Sequence, residues 1–117
     1  MENDIQLPKE GFAKVVQLVI EGRHVLRIGN FDGRHSQILQ DTLKEFNLIY
    51  QTQKIEGDVV PMLVGEKYQA VGMGMCRRFD KEVLFNGNSG SYEIGINKEH
   101  IAQCRKLIPQ GIELIVI

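Results

Sequence analysis

Two apolar runs with a very short polar interruption between them constrain this chain more than any other feature. Residues 13–20 read AKVVQLVI and residues 24–28 read HVLRI, separated by Glu21-Gly22-Arg23. β-Branched side chains crowd a helix and suit a pleated strand, and a glycine-centred break this short turns the chain back on itself. The pair predicts an antiparallel hairpin. Gly29 to Gly33 (GNFDG) then ends it ahead of a helix predicted over 33–46, with Asp32 as N-cap and Gly33, Arg34 and His35 in the first turn. Ile38, Leu39, Thr42, Leu43 and Phe46 recur there at the spacing of one helical face. Residues 48–55 (LIYQTQKI) predict a strand broken by Gly57-Asp58, and 59–64 with 67–75 predict a second hairpin about Gly65-Glu66. Residues 77–91 are polar and run into NGNSGS, which predicts a long surface loop. Asn97 then caps a short helix carrying Ile101, Cys104, Leu107 and Ile108, Pro109 follows it, and 112–117 (IELIVI) predict a central strand. The order ββαβββαβ implies an α/β (α+β) fold, a mixed sheet of about six strands flanked by two helices. That single domain is expected over 11–117, after a flexible lead-in over 1–10.

A chain of 117 residues holds one domain's core and not two. Its 43% hydrophobic and 25% charged residues are those of a folded protein. Fourteen basic residues oppose fifteen acidic ones, a formal net charge of −1. No overall field of that kind recruits nucleic acid or anionic lipid, so neither partner is expected and any bound anion must be held locally. The N-terminal stretch lacks the apolar segment of a secretory leader, and no apolar run approaches the roughly 18 residues of a membrane span. A cytoplasmic location and a monomer are expected. Cys76 and Cys104 stand far apart, with no CxxC or Cys/His spacing around them, and are expected to be reduced. His24 and His100 have no acidic or cysteine partner at ligand spacing, so no metal and no cofactor is expected.

His35 is the residue on which chemistry converges. In the first turn of a helix it meets the positive end of the helix dipole, which favours the neutral imidazole. That form attacks phosphorus or takes a proton from water, and the free amides of the same turn hold an oxyanion. Against this stands the plainer view of His35 as a solvent-facing helix residue. Lys14 and Arg27, on the two strands of the first hairpin, are placed to converge on an anion, although charges on a half-exposed strand usually form its solvated face. Other signatures fail. GNSG at 87–90 lacks the GxxxxGK[ST] of a phosphate loop. Cys76-Arg77-Arg78 resembles a thiolate site, but a CxxxxxR phosphatase needs arginine at the position of Glu82.

Taken in order, these elements resemble the Janus/Ocnus family, whose characterised members are small phosphohistidine phosphatases without a metal cofactor. The likeness spans about 11–117. It rests on Gly11-Phe12-Ala13-Lys14 entering a strand and on Val25-Leu26-Arg27, with seven residues between that arginine and His35. It extends to the spacing from His35 to Gly57, to the run Gly72-Met73-Gly74-Met75-Cys76, and to Ile101–Pro109 followed by a last strand. The resemblance implies His35 as catalytic residue, as nucleophile or general base, with Lys14 and Arg27 binding phosphate. It also implies a phosphoryl cradle from the amides of Gly74, Met75 and Cys76, or of 76–78 if the register moves by two, with glycine at 72 and 74 allowing close approach. The substrate implied is a phosphohistidine-bearing protein. A non-catalytic phosphate-binding module on the same fold is the alternative, and a plain protein-interaction domain a third reading. The chain departs from the family at Gly57-Asp58, where more glycine is usual, and at Val60, where a second arginine is usual. Its segment 77–91 is also longer and opens on Arg77-Arg78.

Overall fold

The computed structural model describes residues 3–117. Strands β1 (Gly11–Ile20) and β2 (Arg23–Asn30) pair antiparallel from Ala13↔Asn30 to Ile20↔Arg23, as their sequences predict. Glu21 and Gly22 take positive φ values of 48° and 81°, the mirror-image turn whose twist matches a two-residue hairpin. β1 reads VVQLVI rather than alternating because both its faces are covered, Val15 to Leu18 being buried without a break.

Helix α1 (His35–Glu45) follows, then a separate hairpin of β3 (Thr52–Ile55) and β4 (Asp58–Pro61). The predicted hairpin of 59–64 with 67–75 is corrected here. Glu56 and Gly57, both at positive φ, close a tight turn, so β4 takes β3 as its partner. Only Val64↔Gln69 remains as an isolated bridge around Gly65-Glu66. β5 (Tyr68–Phe79) instead lies antiparallel on the free side of β1, from Gly11↔Arg78 to Ile20↔Tyr68, with a bulge that leaves Val71 out of register.

The predicted loop at 77–91 is the largest departure. β5 continues to Phe79, Asp80 turns the chain at φ 52°, and β6 (Glu82–Asn86) pairs back on β5. Val83 and Phe85 are fully buried, and a run of three apolar residues, Val83 to Phe85, is a weak signal beside the glycines that follow. A small hairpin, β7 (Asn88–Ser89) with β8 (Ile94–Gly95), leads to helix α2 (Lys98–Arg105), capped by the Asn97 side chain as expected. The last strand, β9 (Glu113–Val116), runs parallel to β6 and lies at the sheet edge, not at its centre. The main sheet thus has five strands in the order β2-β1-β5-β6-β9, with two small hairpins outside it, where about six strands in one sheet were expected.

One helix covers each face of this mixed sheet. α1 packs Ile38, Leu39 and Leu43 on Val16, Leu18, Ile20, Val25 and Met73. α2 packs Ile101 and Cys104 on Val15, Leu26, Cys76, Phe85 and Leu114. The result is a single α+β domain in three layers. The lead-in is not loose where it is described, from residue 3. Asp4 O accepts from Leu26 N, Gln6 N donates to Leu26 O, and Ile5 is buried in the core under α2. The outer edge of β2 has main-chain groups to satisfy, and this segment satisfies them. Among the described residues no helix is long and apolar enough to cross a membrane.

Candidate functional site

The site begins where β2 gives way to α1. Gly33 N donates to Asn30 O in a tight turn, and Arg34, extended at φ −108° and ψ 142°, becomes the N-cap. The expected cap, Asp32, lies two residues too early, so His35 is the first helical residue. Among the described residues no side chain caps this end, and no acid stands in its first turn. The first amides of a helix have no partner within it, so this end is open to an acceptor from outside.

The His35 ring reaches across to β5, with Nε2 2.8 Å from Gly74 O. A carbonyl only accepts, so Nε2 carries the proton and Nδ1 holds the free lone pair of the neutral ring. Burial pushes the His35 pKa below its ordinary value. The Gly74 carbonyl opposes that shift, and the Lys14 ammonium adds to it. Lys14 projects from β1 and donates from Nζ to Gly33 O, at the entrance to α1. Its cross-strand neighbour is Met75, so Lys14, Met75 and His35 line one cleft of about 390 Å3. Arg34 and Ser36 line it from the helix, Asp58 and Val60 from β4, and Asn88, Ser89 and Tyr92 from the segment after β6. Arg34 Nη1 donates to Asp58 Oδ2 at 2.8 Å, an ion pair in which both side chains are more than half exposed. Tyr92 OH donates to Pro61 O at 2.7 Å, tying the β7–β8 segment to β4 across the cleft.

Four expected site residues, Arg27, Gly74, Met75 and Cys76, are placed elsewhere or act differently. Arg27 is 7% exposed and donates to both Glu45 carboxylate oxygens, at 2.9 and 2.7 Å, and to the carbonyls of Asp4 and Leu26. It shares the Lys14 face of the hairpin, but it sits at the other end of α1, roughly 15 Å along an eleven-residue helix from His35. Cys76 faces the opposite core, 1% exposed, where burial pushes its thiol up to about 12. The amides of Met75 and Cys76 lie in a strand paired on both sides, with β1 and β6, so they form a ladder and not a cradle. The same holds for the shifted register 76–78, which is also paired on both sides. Gly74 meets the site through its carbonyl, and a Cβ there would crowd Asn86 O and Ile96. Gly72 makes room for the buried Gln17, which receives Asn97 N at 2.8 Å and so holds the start of α2.

Sequence reasoning passed over Arg34, although its place beside His35 in the first turn was a usable signal. GNSG, expected only as part of a surface loop, also contributes, since Asn88, Ser89 and Gly90 wall the cleft. Among the described residues no three His, Cys, Asp or Glu side chains gather as a metal site. No protein-family model matches the chain, and no curated protein matches it.

Proposed function

We propose that this protein hydrolyses phosphohistidine, or a related phosphoramidate, on other proteins, with Nδ1 of His35 as the reacting atom. The observation that carries the reading is the His35–Gly74 hydrogen bond, which orients the ring and leaves Nδ1 unprotonated beside a cation and an uncapped helix end. In the covalent route the Nδ1 lone pair forms a bond to phosphorus while the P–N bond to the substrate imidazole breaks. The departing ring takes up a proton, and water then releases phosphate from His35. In the alternative route Nδ1 takes a proton from the attacking water. Both routes need the same lone pair. Lys14 would neutralise one phosphoryl oxygen, and the first amides of α1 would hold another. Arg34 is within the same cleft and would contribute once an incoming phosphoryl group competes with Asp58 for its guanidinium. It stands near Val60, where the resembled family carries its second arginine.

The test is hydrolysis of phosphohistidine by the wild-type protein and by His35→Ala, both with a chelator present. Chelator-resistant turnover that falls at least about 100-fold in the variant is expected. Retained turnover in the variant would remove His35 from the mechanism. One observation favours a binding-only module instead. With Arg27 bound to Glu45 and Arg34 to Asp58, Lys14 is the one cleft cation without a carboxylate partner among the described residues. Saturable phosphate binding with no turnover in a folded wild-type protein would decide for that reading.

A further inference from the structure

Strand alternation carries the cleft's face outward. Two residues before Lys14 stands Phe12, and two and four residues beyond Met75 stand Arg77 and Phe79. Phe12 pairs with Arg77 in register, as Lys14 does with Met75. Arg77 Cζ lies 4.6 Å from the centroid of the Phe12 ring and 4.0 Å from that of Phe79. Phe31, four residues before His35, adds its ring 5.6 Å from Phe12. Phe12, Phe31 and Phe79 are 57%, 45% and 42% exposed, so three aromatic rings and a guanidinium form one open patch leading from the cleft. Contiguous aromatic surface of this kind on a small domain marks a contact site.

The charge on this patch is specific. Arg77 is exposed, and no carboxylate among the described residues pairs with it. Glu82 shares its face by alternation, opposite Phe79, and forms no ion pair with it among the described residues. The next residue, Arg78, turns to the other side, where Pro8 O and Asp80 O take its donors. A guanidinium over two rings is pre-ordered, with its remaining donors unspent, and its planar fork matches a carboxylate. Two strand positions separate Arg77 from Met75, about 6.8 Å, which an extended peptide covers in two residues.

We propose that Phe12, Phe31, Arg77 and Phe79 dock the polypeptide flanking the phosphorylated residue, with Arg77 pairing to an Asp or Glu side chain two or three positions away. The proposal rests on the His35 cleft binding the phosphoryl group. Its test is anisotropy titration of a labelled peptide bearing a non-hydrolysable phosphonate analogue of phosphohistidine. One version carries Asp at the second and third positions on both sides, the other Ala. The wild type should bind the Asp version about five-fold more tightly. Arg77→Met keeps an apolar chain between the rings and should erase that preference while leaving the Ala version unchanged. Equal binding of both versions by the wild type, equal weakening of both in the variant, or no binding of either would overturn the docking surface. Phosphohistidine turnover by the same preparations reports on the catalytic reading separately. Preference without turnover keeps the surface and removes the phosphatase, and turnover without preference does the reverse.

Discussion

The proton on His35 is held at Nε2 by a carbonyl that can only accept, and the reactive lone pair therefore sits on Nδ1. Burial lowers the pKa of this ring below 6.5, and Lys14 lowers it further. A nucleophile or base of this kind works only when unprotonated, so kcat/KM for a phosphoramidate should rise with pH through that lowered pKa and be flat above about 6.5. A profile that rises instead through pH 7–8 would assign the essential group elsewhere. Lys14 and His35 were legible as charges and rings in the chain. Arg27 looked equivalent to Lys14 because both sit on the hairpin's α1 face, and only the direction of α1 separates them. Arg34 stands beside His35 in the predicted first turn, but which way its side chain leaves that turn is decided by the tertiary ion pair with Asp58.

Helix α1 needs more than its apolar stripe to aim His35. Its first residue faces Gly74, and its last, Glu45, is held by the Arg27 fork, with Phe46 under that guanidinium at 5.3 Å. The Arg27 guanidinium keeps the Glu45 carboxyl below its usual range. Arg27→Met should therefore cost about 1–2 kcal/mol of stability, discounted because Glu45 is 39% exposed, and should leave the reacting atoms in place. Urea denaturation and phosphoramidate hydrolysis measure the two effects. A variant of normal stability that has lost turnover would return Arg27 to the site. The helix itself was readable from its 3.6-residue period, whereas β6 was hidden because EVLFN is a five-residue segment with only three apolar residues in a row, beside a glycine-rich stretch.

Two imidazoles, His100 buried and His35 half-buried, connect the domain's stability to pH. His100, 3% exposed, has Nε2 2.8 Å from Leu18 O and Nδ1 3.2 Å from Gln17 Nε2, with Cys104 Sγ at 3.5 Å. Its Nε2 therefore donates and its Nδ1 accepts, and a second proton there would face donors. Burial lowers the pKa of both His35 and His100, so the unfolded chain binds protons before the folded one does. Stability is then full above about pH 6.5 and falls as pH drops from there toward the lowered values. Thermal unfolding should show a Tm that is level from pH 8 to 7 and declines between pH 6.5 and 5, with a smaller decline in His35→Ala. A Tm unchanged down to pH 5 would mean these rings charge as easily folded as unfolded.

Local chemistry in the chain determined the hairpin of β1 and β2, the two helices, the Asn97 cap and the α+β class. Each depends on neighbours within a few residues, and the period or the turn residue announces them. The tertiary structure alone decided that β5 rather than β2 lies between β1 and β6, and that β9 ends at an edge. It alone turned 77–86 into sheet, parted Arg27 from His35 and set Arg77 between Phe12 and Phe79. These are choices between partners far apart in sequence, and side chains of one type serve equally well for any of them. Which pair forms depends on the free energy of the whole packing, where an unpaired edge such as that of β2 or a face such as that of Val83 and Phe85 must find cover somewhere.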